Sequence, residues 1–266
     1  MVEGEVGAPG VYRIEPGETL RGVIKRVGGL TNYSYLFAMQ LNRVSTRKEQ
    51  QEQLVNTIQR MRKDLAAAYA NSSQPVLPAT TGGIAGAAAA ISEEATGDQK
   101  MLAEQNDLID RLLTMQATGR IVLGIPPTAQ TVDDLPDFHL EDGDTVMIPR
   151  RMDTVQVIGE VYNENSLRYR PGRRLSAYLN DTGGPTRSAD KGRTFLIRAD
   201  GTVIGRHLRN SLWNDNFDRV VLMPGDAIVI PPKVRMPGPR AIDNLLEITS
   251  ILSQAAITGT VLHAFL

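Results

Sequence analysis

Residues 4–29 read GEVGAPGVYRIEPGETLRGVIKRVGG, and residues 159–184 read GEVYNENSLRYRPGRRLSAYLNDTGG. Gly4-Glu5-Val6 reappears as Gly159-Glu160-Val161, an offset of 155. The same offset carries Arg13 onto Arg168, Pro16-Gly17 onto Pro171-Gly172, Leu20 onto Leu175 and Gly28-Gly29 onto Gly183-Gly184. It also carries Thr31 onto Thr186, Leu41 onto Leu196 and Arg43 onto Arg198, without a gap. A second block repeats at an offset of 82: Ala117/Ala199, Gly119/Gly201, Asp133/Asp215, Leu140/Leu222, Gly143-Asp144/Gly225-Asp226 and Ile148-Pro149/Ile230-Pro231. Self-similarity of this kind marks a duplicated structural unit.

The two blocks abut in the second copy, where Arg198 is followed by Ala199. In the first copy they are separated by residues 44–116. The first copy is therefore expected to be a discontinuous domain, 1–43 with 117–150, interrupted by an insertion. The second copy is expected to span 151–235. Thr154 to Ile158 alternates as a strand does, and Met1 falls at the position of Gln156. The chain is thus expected to open inside a strand and to be a piece of a longer protein.

Each copy predicts a small α+β unit. Val11-Tyr12-Arg13-Ile14 and Ser166–Tyr169 read as strands before a Pro-Gly turn. Leu20, Val23, Ile24 and Val27 have helical spacing, as do Leu175, Tyr178 and Leu179, and the following Gly-Gly pairs read as C-caps. Further strands are predicted at 36–41, 120–123 and 145–148, and at 194–198, 202–204 and 227–230. Gly143-Asp144 and Gly225-Asp226 mark the turns before the last of each.

The pattern Gly-Glu-Val-x3-Gly-Val-Tyr-x3-Pro-Gly-Glu-Thr-Leu from Gly4, followed by Gly-Gly-Leu-Thr, resembles the soluble-ligand-binding β-grasp (SLBB) domain. The tandem order, the two Leu-x2-Gly-Asp-x-Val/Ile-x-Ile-Pro strands from Leu140 and Leu222, and the apolar tail resemble the Wza-type outer-membrane polysaccharide export family. The resemblance implies two tandem β-grasp domains in a ring-forming translocon for capsule or exopolysaccharide. It also implies a C-terminal portion of such a protein, in the outer membrane with a periplasmic part. Homo-oligomeric neighbours, the polysaccharide and an inner-membrane polysaccharide co-polymerase are the implied partners. The family's N-terminal signature, leader and lipidated cysteine are not among these residues.

The insertion reads as an antiparallel helical hairpin. Leu54, Ile58, Met61, Leu65 and Tyr69 form one stripe along 45–70; Leu102, Leu108, Ile109, Leu112 and Leu113 supply a second arm. Residues 71–92, rich in Ala, Gly, Pro, Ser and Thr, are expected to form a flexible tip. The first arm carries an excess of positive charge and the second an excess of negative charge, which suits pairing between them. The hairpin either docks a partner or packs on its own domain.

Glu247 is the last formal charge, and residues 239–266 are expected to form a C-terminal helix. At ~1.5 Å per residue the uncharged run from Ile248 to Leu266 is roughly 28 Å long, near the thickness of a bilayer core. Ile248, Ile251, Leu252, Ala255, Leu262 and Leu266 lie broadly on one side. Ser250, Ser253, Gln254, Thr260 and His263 lie on the other. A ring of such helices would turn the polar side to a lumen and the apolar side to lipid, as the family's helical barrel does. The alternative is a helix folded back on the protein.

Enzyme chemistry finds little footing. Lys plus Arg is 29 and Asp plus Glu is 30, so no uniformly basic surface exists to hold nucleic acid. Cysteine is absent, which removes disulfides, thiolate metal sites and thiol nucleophiles. His139, His207 and His263 have no metal-ligand spacing, and no Gly-x-Ser-x-Gly elbow is present. Asp144 and Asp226 share a Gly-Asp turn context. No catalytic residue, metal or cofactor is therefore expected. Arg168, Arg170, Arg173 and Arg174 are the ligand or conduit candidates, a cationic cluster able to steer an acidic glycan. Their alternative role is surface or subunit salt bridging. The reading is a non-enzymatic ring around an aqueous conduit; its rival is a soluble periplasmic β-grasp module that binds a saccharide or small ligand.

Overall fold

The structure is a computed structural model that describes residues 1–72, 110, 113–206 and 217–233. Short strands form where β-branched and aliphatic residues alternate: β1 (Val2–Gly4), β2 (Gln40–Asn42), β3 (Arg120–Ile121) and β4 (Thr145–Ile148) in the first copy. The second copy has β5 (Thr154–Gly159), β6 (Asn165–Arg168), β7 (Phe195–Ile197), β8 (Val203–Gly205) and β9 (Ala227–Ile230). The sheets run β1-β4-β2-β3 and β6-β5-β9-β7-β8. With the duplication offsets applied, the two orders coincide, apart from the extra edge strand β6. Two such sheets, each with one short helix, fit the tandem β-grasp domains that the resemblance implies.

In each sheet the opening strand pairs in parallel with the closing strand. Gly4 lies opposite Ile148, and Gly159 opposite Ile230. The chain then turns sharply, and Glu5 and Glu160 donate their backbone N–H to the carbonyls of Ile148 and Ile230, 2.8 Å in both cases. Gly4 and Gly159 have φ of 87° and 98°. A Cβ at either position would overlap the partner strand's carbonyl oxygen.

The helices α1 (Leu20–Arg26) and α3 (Leu175–Asp181) cover one face of each sheet; the long helix α2 (Val44–Ser72) lies between them in sequence. Thr19 caps α1 by accepting from the Gly22 N–H, and both short helices end in a Schellman turn. Gly29 N–H reaches the Ile24 carbonyl and Gly184 N–H the Leu179 carbonyl, 2.9 Å each, as their Gly-Gly pairs predict. Leu20, Ile24, Leu41, Val146 and Ile148 form one core; Leu175, Leu179, Leu196, Ile228 and Ile230 fill the same places in the other. Each fully buried aliphatic side chain contributes ~1.5–3 kcal/mol.

The predicted strand at 11–14 does not form. Only Gly10 pairs, as a single bridge to Val2, where β6 pairs along its length in the second copy. The Tyr12 hydroxyl donates to the Ala8 carbonyl (2.6 Å), folding the segment on itself. The strand predicted at 36–41 is instead a 3₁₀ turn at Leu36–Ala38 leading into β2, and Lys191–Arg193 does the same before β7.

Both sheets belong to one compact unit made of 1–50 and the described residues of 117–235; those of 51–116 belong to a second. Within the first, Arg43 N–H bonds the Gly119 carbonyl (2.9 Å) where the insertion leaves and returns. Gln50 clamps the same point, accepting from Gly119 N–H and donating to the Arg120 carbonyl. In the second unit, Leu54, Ile58 and Met61 lie buried along one stripe of α2, and Met115 is also buried. The side chains of Leu65 and Tyr69, and Leu102, Leu108, Ile109 and Leu112 of the second arm, lie outside the described residues, as does most of the predicted tip. The predicted C-terminal helix 239–266 lies outside them too. Among the described residues no helix is long and apolar enough to cross a membrane.

Replacing Gly4 or Gly159 by Ala is expected to cost at least ~2–3 kcal/mol in urea unfolding, because strand pairing must yield. Gly184→Ala, whose Cβ would meet nothing within 4 Å, is expected to cost only ~1 kcal/mol for its φ of 79°.

Candidate functional site

The polar identities of the two copies are bonded to each other. Thr31 Oγ1 donates to Glu5 Oε2 (2.5 Å) and Thr186 Oγ1 to Glu160 Oε2 (2.7 Å). Arg43 grips Asp144 with Nε–Oδ1 at 3.1 Å and Nη2–Oδ2 at 2.8 Å, and also reaches Glu141 and the His139 carbonyl. Arg198 meets Asp226 through Nη1–Oδ2 at 3.2 Å and touches the Val221 carbonyl, the counterpart of His139. Both aspartates also accept from the backbone N–H three residues earlier, Glu141 and Met223. They serve the turn as the Gly-Asp context predicts. Their arginine partners, Arg43 and Arg198, stand among the identities at the 155 offset, but identity alone does not pair them with the aspartates.

The second pair is looser and drier. Asp226 has no exposed surface. Burial raises its carboxyl from 3.8 to about 6, against the donors from Met223 N–H, Arg198 and Ala199 N–H, while Asp200 adds to the rise.

A further pair keeps its place while exchanging signs. Glu18 binds Arg26 at 2.8 Å in the first copy. The positions at the 155 offset are Arg173 and Asp181, bound at 2.7 Å in the second. The Arg173 guanidinium also lies 4.8 Å from the Tyr178 ring centre. Of the four candidate arginines, Arg173 is therefore engaged by its own helix. Arg168, at the end of β6, Arg170 before the Pro-Gly turn, and Arg174 at the start of α3 are exposed and make no ion pair among the described residues. Arg170 N–H donates to the Tyr178 hydroxyl (2.8 Å), which ties the turn to the core. In the first copy the corresponding places hold Arg13, Glu15 and Thr19, so the cationic edge belongs to the second copy alone.

The predicted lipid-facing Ile248, Ile251, Leu252, Ala255, Leu262 and Leu266 lie outside the described residues. So do the predicted lumen-facing Ser250, Ser253, Gln254, Thr260 and His263. His139 enters through its backbone, bridging Thr19. Among the described residues no group of three His, Asp or Glu is placed to hold a metal ion.

Residues 1–55 and 154–207 match the SLBB domain family, one segment in each copy. The two segments mark a tandem SLBB arrangement, and the similarities below support the Wza-type polysaccharide export family. Over 261 residues, 98% of its length, it is 25% identical to each of two Escherichia coli proteins called polysialic acid transport protein KpsD. The chain spans 40% of the length of these relatives.

Because Asp226 holds its proton up to about pH 6 when folded and to 3.8 when unfolded, the folded state binds more protons between those values. The contribution of Asp226 to stability is expected to be fully present below that window and to be lost, by about 2–3 kcal/mol, as pH rises through it. Asp226→Asn should flatten that slope in urea titrations at several pH values, with the remaining carboxylates supplying a common background.

Proposed function

We propose that the chain is a non-enzymatic component of a polysaccharide export translocon. It assembles as a homo-oligomeric ring around an aqueous conduit, at the outer membrane with a periplasmic portion. The observation that carries this is the combination of two SLBB segments with similarity to polysialic acid transport proteins along nearly the whole chain. In this reading residues 1–43 with 117–150 and residues 151–235 are the two β-grasp domains. Residues 44–116 are an inserted helical hairpin, and 239–266 the helix that lines the exit through lipid. Ring closure uses heterologous contacts between neighbours, the geometry that yields closed cyclic assemblies.

The substrate class is an acidic glycan, and the exposed edge of Arg168, Arg170 and Arg174 is its steering surface. Three like charges within seven residues, none of them in an ion pair among the described residues, raise the local concentration of a polyanion. An inner-membrane polysaccharide co-polymerase is the expected partner on the periplasmic side.

Sizing of the full chain in mild detergent tests the assembly: a large, discrete oligomer is expected, and a monomer with measurable saccharide affinity would favour the soluble binding module. The triple variant Arg168→Glu, Arg170→Glu, Arg174→Glu is expected to lower affinity for a carboxylated polysaccharide by about tenfold or more at low salt. The wild-type affinity should itself weaken as ionic strength rises. A neutral polysaccharide serves as the control, since its binding should not respond to the charge reversal.

A further inference from the structure

The two sheets meet along a seam formed by Tyr35, Phe37 and Ala38 of the first copy and Ala199, with Met223 packed against them, of the second. This seam is poorly satisfied. Tyr35 is only 7% exposed, and its hydroxyl has no hydrogen-bond partner. Arg120 of β3, also 7% exposed, donates from Nη2 to the Ala199 carbonyl (3.0 Å), while its Nε and Nη1 bond nothing. Its guanidinium lies so close to Gly201 that a Cβ there would be 2.9 Å from Cζ. Asn42, cross-strand partner of Arg120, has an unpartnered buried Oδ1. These are the unpartnered buried side-chain atoms among the described residues, and they gather on β2, β3 and the turn before β2.

An unsatisfied buried donor costs more than a made hydrogen bond returns, and an unpaired buried guanidinium costs more still. The Tyr35 hydroxyl and the Arg120 guanidinium, which lie at the seam, would be solvated if it parted. On its other side lies Asp226, whose Oδ1 accepts from Ala199 N–H (3.1 Å). The chain between the sheets offers one place to pivot. Tyr35 N–H bonds the Pro149 carbonyl (2.9 Å) and Arg151 N–H bonds the Tyr33 carbonyl (3.1 Å), fixing that end to the first copy. Tyr169 N–H bonds the Asp153 carbonyl (2.7 Å), fixing the other end to the second. Met152 is left between the two attachments, partly exposed.

We infer that the seam is a two-state contact between the β-grasp modules, closed in mild acid, loosened at neutral pH, and hinged at Met152. Asp226 supplies the proton dependence. It faces Arg198 and Asp200 on its own module and Tyr35 across the seam; Arg151 and Tyr169 in turn act on Tyr35. Parting the modules exposes Asp226 and returns it to an ordinary carboxylate, so proton binding favours the closed form. Arg120 favours the open form at every pH. Burial lowers its guanidinium to about 10, with only Asp200 opposing, so closing the seam always costs charge solvation. The inference rests on the seam alone and stands whether or not the chain assembles around a conduit.

Hydrogen exchange of the full chain, expressed as protection relative to unstructured rates, tests it. Amides of 35–38 and 198–201 should gain about tenfold or more in protection between about pH 7.5 and about pH 5, while β5 amides stay constant. Asp226→Asn should remove that pH dependence. Arg120→Met should bring the neutral-pH protection up to the acid level. Equal wild-type protection at both pH values, a pH response that survives in Asp226→Asn, or lower seam protection in Arg120→Met would each overturn the inference. Should Asp226→Asn not fold, the wild-type comparison and Arg120→Met decide it.

Discussion

Each half of the molecule depends on one closure: the strand that opens the unit lies parallel to the strand that ends it. Parallel neighbours cannot be joined by a hairpin, so everything between must cross over and return. In the first copy that excursion runs from Gly4 to Thr145, in the second from Gly159 to Ala227. The glycines make it possible, because the partner carbonyl occupies the space where a Cβ would stand. Once the closure forms, Glu5 and Glu160 are fixed by their backbones, and their carboxylates hold Thr31 and Thr186. Those threonines follow the Gly-Gly turns that end α1 and α3. The helix is thereby tied to the sheet by the residues that close it.

The closure also explains why one copy tolerates a long insertion. The insertion leaves after Arg43 and returns before Gly119, a junction clamped by the Arg43–Gly119 backbone bond and by Gln50. Neither strand of the parallel pair is disturbed. Arg43 keeps its bidentate hold on Asp144, so the first copy's turn is more firmly bound than the uninterrupted second, where Arg198 reaches Asp226 through a single nitrogen. The weaker pair is the one at the seam, next to the unpartnered Tyr35 hydroxyl and the unpartnered Nε and Nη1 of Arg120. Firmness within modules and poor satisfaction between them are what the inferred two-state seam requires.

The duplication was legible because glycines, prolines and core aliphatics are held in place by steric limits that a side-chain swap cannot meet. Residues 4–29 therefore gave away helix, turn and cap in both copies. That 11–14 forms no strand was not legible, because Arg13 and the Pro-Gly turn repeat those of β6, while the Tyr12 hydroxyl that folds the segment back on Ala8 has Leu167 in its place. The Glu18–Arg26 and Arg173–Asp181 pairs escaped for the opposite reason: reversing both charges preserves the interaction and erases the identity. Seam residues Arg120 and Tyr35 carry no pattern at all, since their burial comes from the packing of one module on the other. Among the candidate arginines, spacing alone could not show that Arg173 was committed to Asp181 and the other three were not.

The central claim is that both halves are one building block, the first carrying residues 44–116 as a removable addition. Excising that segment joins Arg43 to Ala117, the junction that Arg198 and Ala199 already make in the second copy. The most direct measurement is hydrogen exchange on the excised chain, read at Glu5 and Glu160, the amides that complete the two parallel closures. The account predicts that both remain strongly protected and that the chain unfolds cooperatively. Loss of protection at Glu5 with Glu160 unaffected would show that the first half needs its insertion to fold and is not a copy of the second.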